Sequence, residues 1–442
     1  MKKKQALKIP EWLKRSAVYQ VNLRTFSEEG TIDSLRKELA FLKSLGFKIV
    51  YLCPVFQEDD NEDTSFWSIR QKASGTQNPK NPYRIDDYFE IDEEYGSMED
   101  LVALIQEAHT LGMKIILDLV YMHLSPHAPI IGRHPEFVQR DENGKIVYSD
   151  YKFPLTNFES AGLREYLWCN MTYLIGETDA DGFRCDVGDC VPDDFWAEGR
   201  RRIRAIKPDA VLINEGCKFE RLATTFDSCY AFEYQRDLYK VFSGEITAKE
   251  MIGRENARRE TIPENGCILR NFDTHDTVTD WKERMEKFIG NDGMELVTVL
   301  NYVYDGIPMV YCGNELADTA TVNLFSNRFH RGRFFATDRE GLKTQKAGIR
   351  RQSVITQLNR LLAENDAMCS TDFEWLNVAG ENTFAFRNKG KCRDVVFVGN
   401  LGKAAINETL DFPIHSVLLH NNADFNGKQL LLRPYGYILA EI

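Results

Sequence analysis

"VLINEG", residues 211 to 216, is an apolar run that ends beside a carboxylate and is followed at once by glycine. Val211, Leu212 and Ile213 read as a buried strand, and Glu215 falls where that strand meets a turn. A single acidic strand end decides nothing, because solvated carboxylates close many strands. The arrangement recurs, however, along most of the chain. Similar runs are "AVYQVN" (17 to 22), "IVYLCPV" (49 to 55), "KIILDLV" (114 to 120), "GFRCDV" (182 to 187), "CYAFEY" (229 to 234), "ILRNFDTHD" (268 to 276) and "IPMVYCGNE" (307 to 315). Amphipathic stretches such as "TIDSLRKELAFLKSLG" and "SMEDLVALIQEAHTLG" separate most of them. Eight β/α units in succession predict a parallel sheet closed into a (β/α)₈ barrel.

Two intervals are too long for simple connections. Residues 56 to 97 follow the second strand and residues 121 to 160 the third; on a barrel such loops lie on the active face and wall a cleft. Beyond about residue 366 the pattern changes to short alternating strands, which predicts a small antiparallel β domain.

Composition narrows the function classes. The 442 residues carry 55 Lys and Arg against 67 Asp and Glu, a net charge of −12. Such a surface repels phosphate backbones, so nucleic acid is not an expected partner. No run approaches the roughly 20 apolar residues of a membrane span. The basic start "MKKKQALKIPEW" meets Pro10 and Glu11 before any signal-like apolar stretch, and the ten cysteines show no C-x-x-C pair. A cytoplasmic protein with no cofactor and no obligate protein partner is the expectation.

The acids then gain meaning together. Asp118, Asp186, Glu215 and Asp276 each fall within or at the end of a predicted barrel strand. Alternate strand residues share a face, so Arg184 and Asp186 point together into the barrel mouth, where the guanidinium is expected to keep Asp186 ionised. Two carboxylates about 5 to 5.5 Å apart, one ionised and one protonated, are what retaining glycoside hydrolysis needs. Asp186 and Glu215, on consecutive strands, can supply them. His123 and His275 are read as hydrogen-bond donors to sugar hydroxyls. Zinc at His123 and His127 is set aside because Pro126 interrupts "HLSPH" and the helical H-E-x-x-H context is missing. Phe66 and Trp67, in the long second loop, are candidate platforms for sugar rings.

In "AVYQVNLRTFS", "NPYRIDDYFEIDEEYGSMEDL", "AHTLGMKIILDLVYMH", "DGFRCDV", "INEG", "NFDTHD" and "GIPMVYCGNE", taken in order, the sequence resembles the α-amylase family of retaining glycoside hydrolases and transglycosidases. The inserted stretch is similar to that of a small bacterial subgroup. The resemblance implies a barrel in residues 1–120 and 161–366, a short inserted domain in 121–160, and a C-terminal antiparallel β-sandwich in 367–442. It implies that Asp186 is the nucleophile, Glu215 the acid/base and Asp276 the third carboxylate. Arg184 would steady Asp186, Tyr83 stack on the sugar, Asp118 buttress the site, and His123 and His275 bind hydroxyls. The substrate implied is an α-glucan oligosaccharide, hydrolysed or transferred to another sugar; a non-catalytic relative should have lost one of the three acids, and all are present. Departures are Arg84 after Tyr83, Cys190 four residues beyond Asp186, and Met122 where the family usually places a calcium-binding Asn. A thioether is a poor calcium ligand, so calcium independence and no metal site are expected.

Overall fold

Eight short buried strands form the centre of the chain: β1 (Val18–Val21), β2 (Ile49–Leu52), β3 (Lys114–Leu119), β4 (Gly182–Cys185), β5 (Val211–Asn214), β6 (Ser228–Tyr230), β7 (Ile268–Arg270) and β8 (Ile307–Tyr311). Each pairs in parallel with its neighbours in the series, and β1 pairs with β8, Val18 opposite Met309, to close the barrel. This computed structural model describes residues 3–281, 283–329 and 332–442.

Strand alternation sorts the side chains. Val18, Ile49, Tyr51, Ile116, Val211, Ile213, Leu269 and Met309 form one buried cluster, the barrel interior. Tyr19, Val50, Ile115, Leu117, Phe183 and Leu212 belong to a second, larger cluster beneath the helices. Thr31 and Ser97, which open the two amphipathic stretches, cap the helices Ile32–Ser44 and Met98–Thr110 through capping boxes. Leu35, Leu39 and Leu42 on the first, and Leu101, Leu104, Ile105 and Ala108 on the second, are the buried faces that helical spacing predicts. Gly182 opens β4 at φ 148°, and a Cβ there would stand 2.3 Å from the Val211 carbonyl oxygen, so β4 and β5 start together only with glycine at this position.

The long connections build the mouth. After β2, Phe56–Glu58 pairs antiparallel with Ile85–Ile91, and the helix Ile69–Ser74 lies between them. After β3, isolated antiparallel bridges join His123 to Leu155, Val138 to Thr156, Arg140 to Ile146 and Tyr148 to Pro154.

A single antiparallel sheet ends the fold. Its strands are β9 (Phe373–Trp375), β10 (Thr383–Asn388), β11 (Val395–Asn400), β12 (Ile406–Thr409), β13 (Ser416–Asn426) and β14 (Gln429–Glu441). One end of β14 pairs with β12 and the other with β11, while β13 runs beside it along most of its length. Tyr435, at φ 57°, lies between the two halves, and the sheet curls around Val396, Val398, Leu430, Leu432 and Ile438. Its other face, with Phe384, Phe386, Phe397 and Tyr437, joins the barrel's outer core.

Candidate active site

Parity places the acids. Ile116 and Ile213 face the interior, so Asp118 and Glu215, two residues on, face the same way, and Arg184 and Asp186 follow Gly182. Asp118 and Arg184 are also opposite each other in the β3–β4 register. The guanidinium gathers the group: Nη1 donates to both oxygens of Asp118 at 2.8 and 2.9 Å and to Asp186 Oδ1 at 2.9 Å, while Nη2 lies 2.5 Å from Glu215 Oε1. Tyr51 and Tyr83 donate to Asp118 Oδ2 at 2.6 and 3.1 Å.

The turn after each strand end fixes the acid next to it. Val187, following Asp186, adopts a left-handed conformation (φ 40°, ψ 42°), costly for a β-branched residue. In that conformation its N–H donates to Glu215 Oε2 at 2.8 Å. Asp189 pins the other side of the pair, accepting from Asn214 Nδ2 at 2.9 Å and from the Cys217 N–H at 2.7 Å. Its carboxylate sits where a Cβ on Gly216 would be, 2.3 Å from Cγ, which accounts for the glycine after Glu215.

Electrostatics reverse one expectation. Burial pushes the Asp186 carboxyl well above its usual range, and the charges of Glu215, Asp118 and Asp276 act with burial to outweigh Arg184. Glu215 is raised as well, by burial first and then by Asp276 and Asp118, against the opposing pull of Arg184 and the Val187 N–H. One guanidinium is shared among Asp118, Asp186 and Glu215, and burial raises all three carboxyls, so the cluster favours holding a proton.

Asp276 behaves in the opposite way. Contrary to the strand-end expectation, β7 stops at Arg270, and Asp276 sits in the first turn of the helix His275–Asp280, capped by Thr274. Burial opposes its ionisation, but His275, Arg70 and Arg184 together hold its carboxyl well below the usual range. Arg70 Nη2 donates to Asp276 Oδ1 at 2.8 Å, and Arg70 Nε donates to Asp280 Oδ1 at 2.6 Å.

Both histidines are neutral. Burial lowers His275 and His123 to about 4. Gln20 takes the His275 N–H on its oxygen and lies 2.8 Å from Nδ1 through its amide nitrogen, so Nε2 carries the proton toward Tyr83 Oη at 2.7 Å. Tyr83 in turn donates to Asp118. His123 Nε2 lies 2.9 Å from the Tyr83 carbonyl, which fixes the proton there and leaves Nδ1 buried with no hydrogen-bond partner among the described residues. The free nitrogen of His123 is therefore an acceptor, where the sequence suggested a donor.

Asp186, Glu215, Asp276, Tyr83 and His123 all line one pocket of about 270 Å³ at the C-terminal mouth of the barrel. Arg184, Asp118 and His275 stand behind that lining and act on it through their bonds. Trp67 does not join them: its ring is buried, its Nε1 donates to the Asn61 carbonyl at 3.3 Å, and Phe66 packs edge-on against His127. The remaining lining includes Arg70, Asp280, Tyr151, Phe153, Phe232 and Phe325. Of these, Phe232 alone follows a barrel strand directly; the others come from loops with no periodicity to mark them.

The donors do not suit calcium beside His123. Met122 packs its side chain against the hydrophobic core, and its carbonyl accepts from Thr156 Oγ1 and Thr156 N–H at 2.9 and 3.2 Å. Among the described residues no group of three or more His, Cys, Asp or Glu side chains is gathered to hold a metal.

Clustered carboxylates at the C-terminal mouth of an eight-stranded parallel barrel are placed at the face where barrel enzymes carry their chemistry. Residues 11–153 match the family model of the alpha amylase catalytic domain. A maltogenic alpha-amylase from Bacillus acidopullulyticus is 25% identical over 367 residues, covering 70% of this chain and 57% of the relative. Alpha-amylase 3 of Dictyoglomus thermophilum is 27% identical over 365 residues, covering 69% and 64%. The chain thus spans little more than half the length of the curated relatives it matches. Among solved structures, an alpha-amylase from Lactobacillus plantarum superposes with a TM-score of 0.78 at 22% identity, covering 98% of this chain and 99% of its own, so the fold is common to both. The chain is thus similar to α-amylases, in sequence over residues 11–153 and in fold over nearly its whole length.

Proposed function

We propose that this protein is a retaining glycoside hydrolase that cleaves α-glucosidic bonds, α-1,4 foremost, in malto-oligosaccharides or related α-glucans. The observation that carries this reading is the convergence of Asp186, Glu215 and Asp276 on one small pocket, with Asp186 and Glu215 both held by the single guanidinium of Arg184. Two acids within reach of one guanidinium suit the close spacing of a double displacement, about 5 to 5.5 Å, better than the wider gap of an inverting site.

In the proposed cycle the proton held by the acid cluster resides on Glu215, which delivers it to the leaving oxygen while Asp186 attacks the anomeric carbon. The bond from that carbon to the leaving oxygen breaks as the bond to Asp186 forms. Glu215, now ionised, takes a proton from water, and the resulting hydroxide displaces Asp186. Asp276, kept ionised, accepts hydrogen bonds from hydroxyls of the sugar, and His123 Nδ1 accepts another. Tyr83 presents its ring, and Asp118 orders Arg184 and Tyr83 from behind. The reading includes no cofactor and a reducing compartment, for which all ten cysteines being free and the similarity to an intracellular maltogenic amylase of Bacillus subtilis are the support. No described helix is long and apolar enough to cross a membrane.

Proton NMR of the first product from an aryl α-maltoside tests the reading. An α anomer appearing first is the expected outcome; a β anomer first, or no turnover of any α-glucoside, removes it. The same experiment at high sugar concentration shows whether water or a second sugar takes the glycosyl group.

A further inference from the structure

The pocket has two kinds of wall. One is the acid cluster at the ends of β4 and β5 with Tyr83 and His123; the other brings together the loops that follow β2, β7 and β8. Arg70 stands at the centre of the second wall. It reaches from the β2 loop to the helix after β7, where it bonds Asp276 and Asp280. The short helix that carries Arg70 is fastened on both sides. Ser68 caps it by accepting from the Gln71 N–H, and the buried Gln71 donates through Nε2 to the carbonyls of Asn78 and Pro79 at 2.8 and 2.9 Å. Asn78 Nδ2 donates to the Ser326 carbonyl in the β8 loop, and the Leu324 N–H donates to Thr279 Oγ1 in the helix of Asp276. The loops after β2, β7 and β8 are thereby joined into one piece across the end of β1, with a guanidinium braced between two carboxylates on the inner side.

This wall adjoins Asp276, the acid that, in the function proposed above and only if that reading holds, binds the sugar whose bond is cut. A glucan chain running on past that sugar would have to displace the ion pairs of Arg70 and leave carboxylates unpartnered in a half-buried place, a costly exchange. The volume agrees. At about 270 Å³ the pocket falls just below the roughly 300–1,000 Å³ that holds a drug-sized ligand.

We propose that Arg70 is a specificity-determining residue that closes the pocket beyond Asp276, so that the site accepts the terminal glycosyl unit of a chain and excludes internal units. The substrate class is then the free non-reducing ends of short α-glucans. Arg70 does not enter the bond-breaking step; it fixes Asp276 and ends the cleft.

The test compares maltoheptaose with the same oligosaccharide blocked by a 4,6-acetal at its non-reducing end, with products separated by chromatography. For the natural chain the blocked substrate should react at least about a hundredfold more slowly. In Arg70→Ala and Arg70→Gln, the ratio of blocked to free rates should rise at least about tenfold, and the ratio cancels any general loss from disturbing Asp276. The Gln variant keeps most of the side chain and guards against a collapsed loop in the Ala variant. Comparable rates on the two substrates for the natural chain, or an unchanged ratio in both folded variants, overturn the proposal and leave α-glucoside hydrolysis standing. If neither oligosaccharide nor an aryl α-maltoside is turned over, the function proposed above fails and this inference fails with it.

Discussion

Asp186 and Asp276 line the same pocket, yet their surroundings shift them in opposite directions. Asp186 projects from the end of a barrel strand and shares Arg184 with Asp118 and Glu215. Asp276 belongs to a loop-borne helix and pairs with Arg70, which among the described residues pairs with it and Asp280. Asp186 is buried and Asp276 half-buried, but burial opposes the ionisation of both and so does not explain shifts of opposite sign. The difference lies in how many carboxylates each cation must satisfy: three on one for the first, two on one for the second. The strand side is poised to hold a proton and the loop side to stay charged.

Removing either strand-borne acid should produce the largest effect. Asp186→Asn and Glu215→Gln are each expected to lower kcat by at least about a thousandfold, several kcal/mol of transition-state stabilisation, with the fold intact by circular dichroism. A Glu215→Gln enzyme that keeps a tenth of its activity on an unactivated substrate would break the assignment.

A smaller effect, on stability, sharpens the contrast. Asp186 is raised in the folded state, so the stability it contributes is fully present below the unfolded carboxylate pKa and is lost as pH rises through the folded value. At neutral pH and above, Asp186→Asn should therefore melt higher than the natural chain, by an amount on the order of a degree or two, and the gap should shrink toward pH 4. Asp276→Asn should show no such gain, because Asp276 is lowered and its charge is already stabilised. Thermal melts across pH 4 to 8 check both; an equal gain in the two variants would mean that the walls do not differ.

The smallest expected effect is none. With Met122 turned into the core, excess EGTA should leave activity and melting temperature unchanged. A drop of several degrees restored by calcium would show that other oxygens have taken the place of the missing Asn.

What the sequence revealed follows the same division. Asp118, Arg184, Asp186 and Glu215 were legible because period-two alternation carries a side chain's direction past the end of a strand. Asp276 was legible as a residue but not in its placement, because six positions separate it from the end of β7 and parity lapses in a turn. Trp67 was misread for a related reason: in a long loop, neighbours distant in sequence decide whether an aromatic ring faces in or out. Arg70, Asp280 and Tyr151 gave no local signal at all. The direction of the Asp186 shift was hidden too, since a lone Arg-Asp pair in sequence does not reveal that two further carboxylates share the cation.

The closure of the barrel also has a consequence in time. Val18 pairs with Ile49 on one side and with Met309 on the other, so one edge of β1 can be satisfied early while its second partner lies far along the chain. At a synthesis rate of about 5 to 20 residues per second, that edge waits on the order of ten seconds or more after β2 emerges. A flat apolar strand with unpaired N–H and C=O groups is a template for the wrong partner during such a wait. The shortness of β1, four residues from Val18 to Val21, limits how much can be captured there, so its brevity serves the nascent chain as well as the finished barrel.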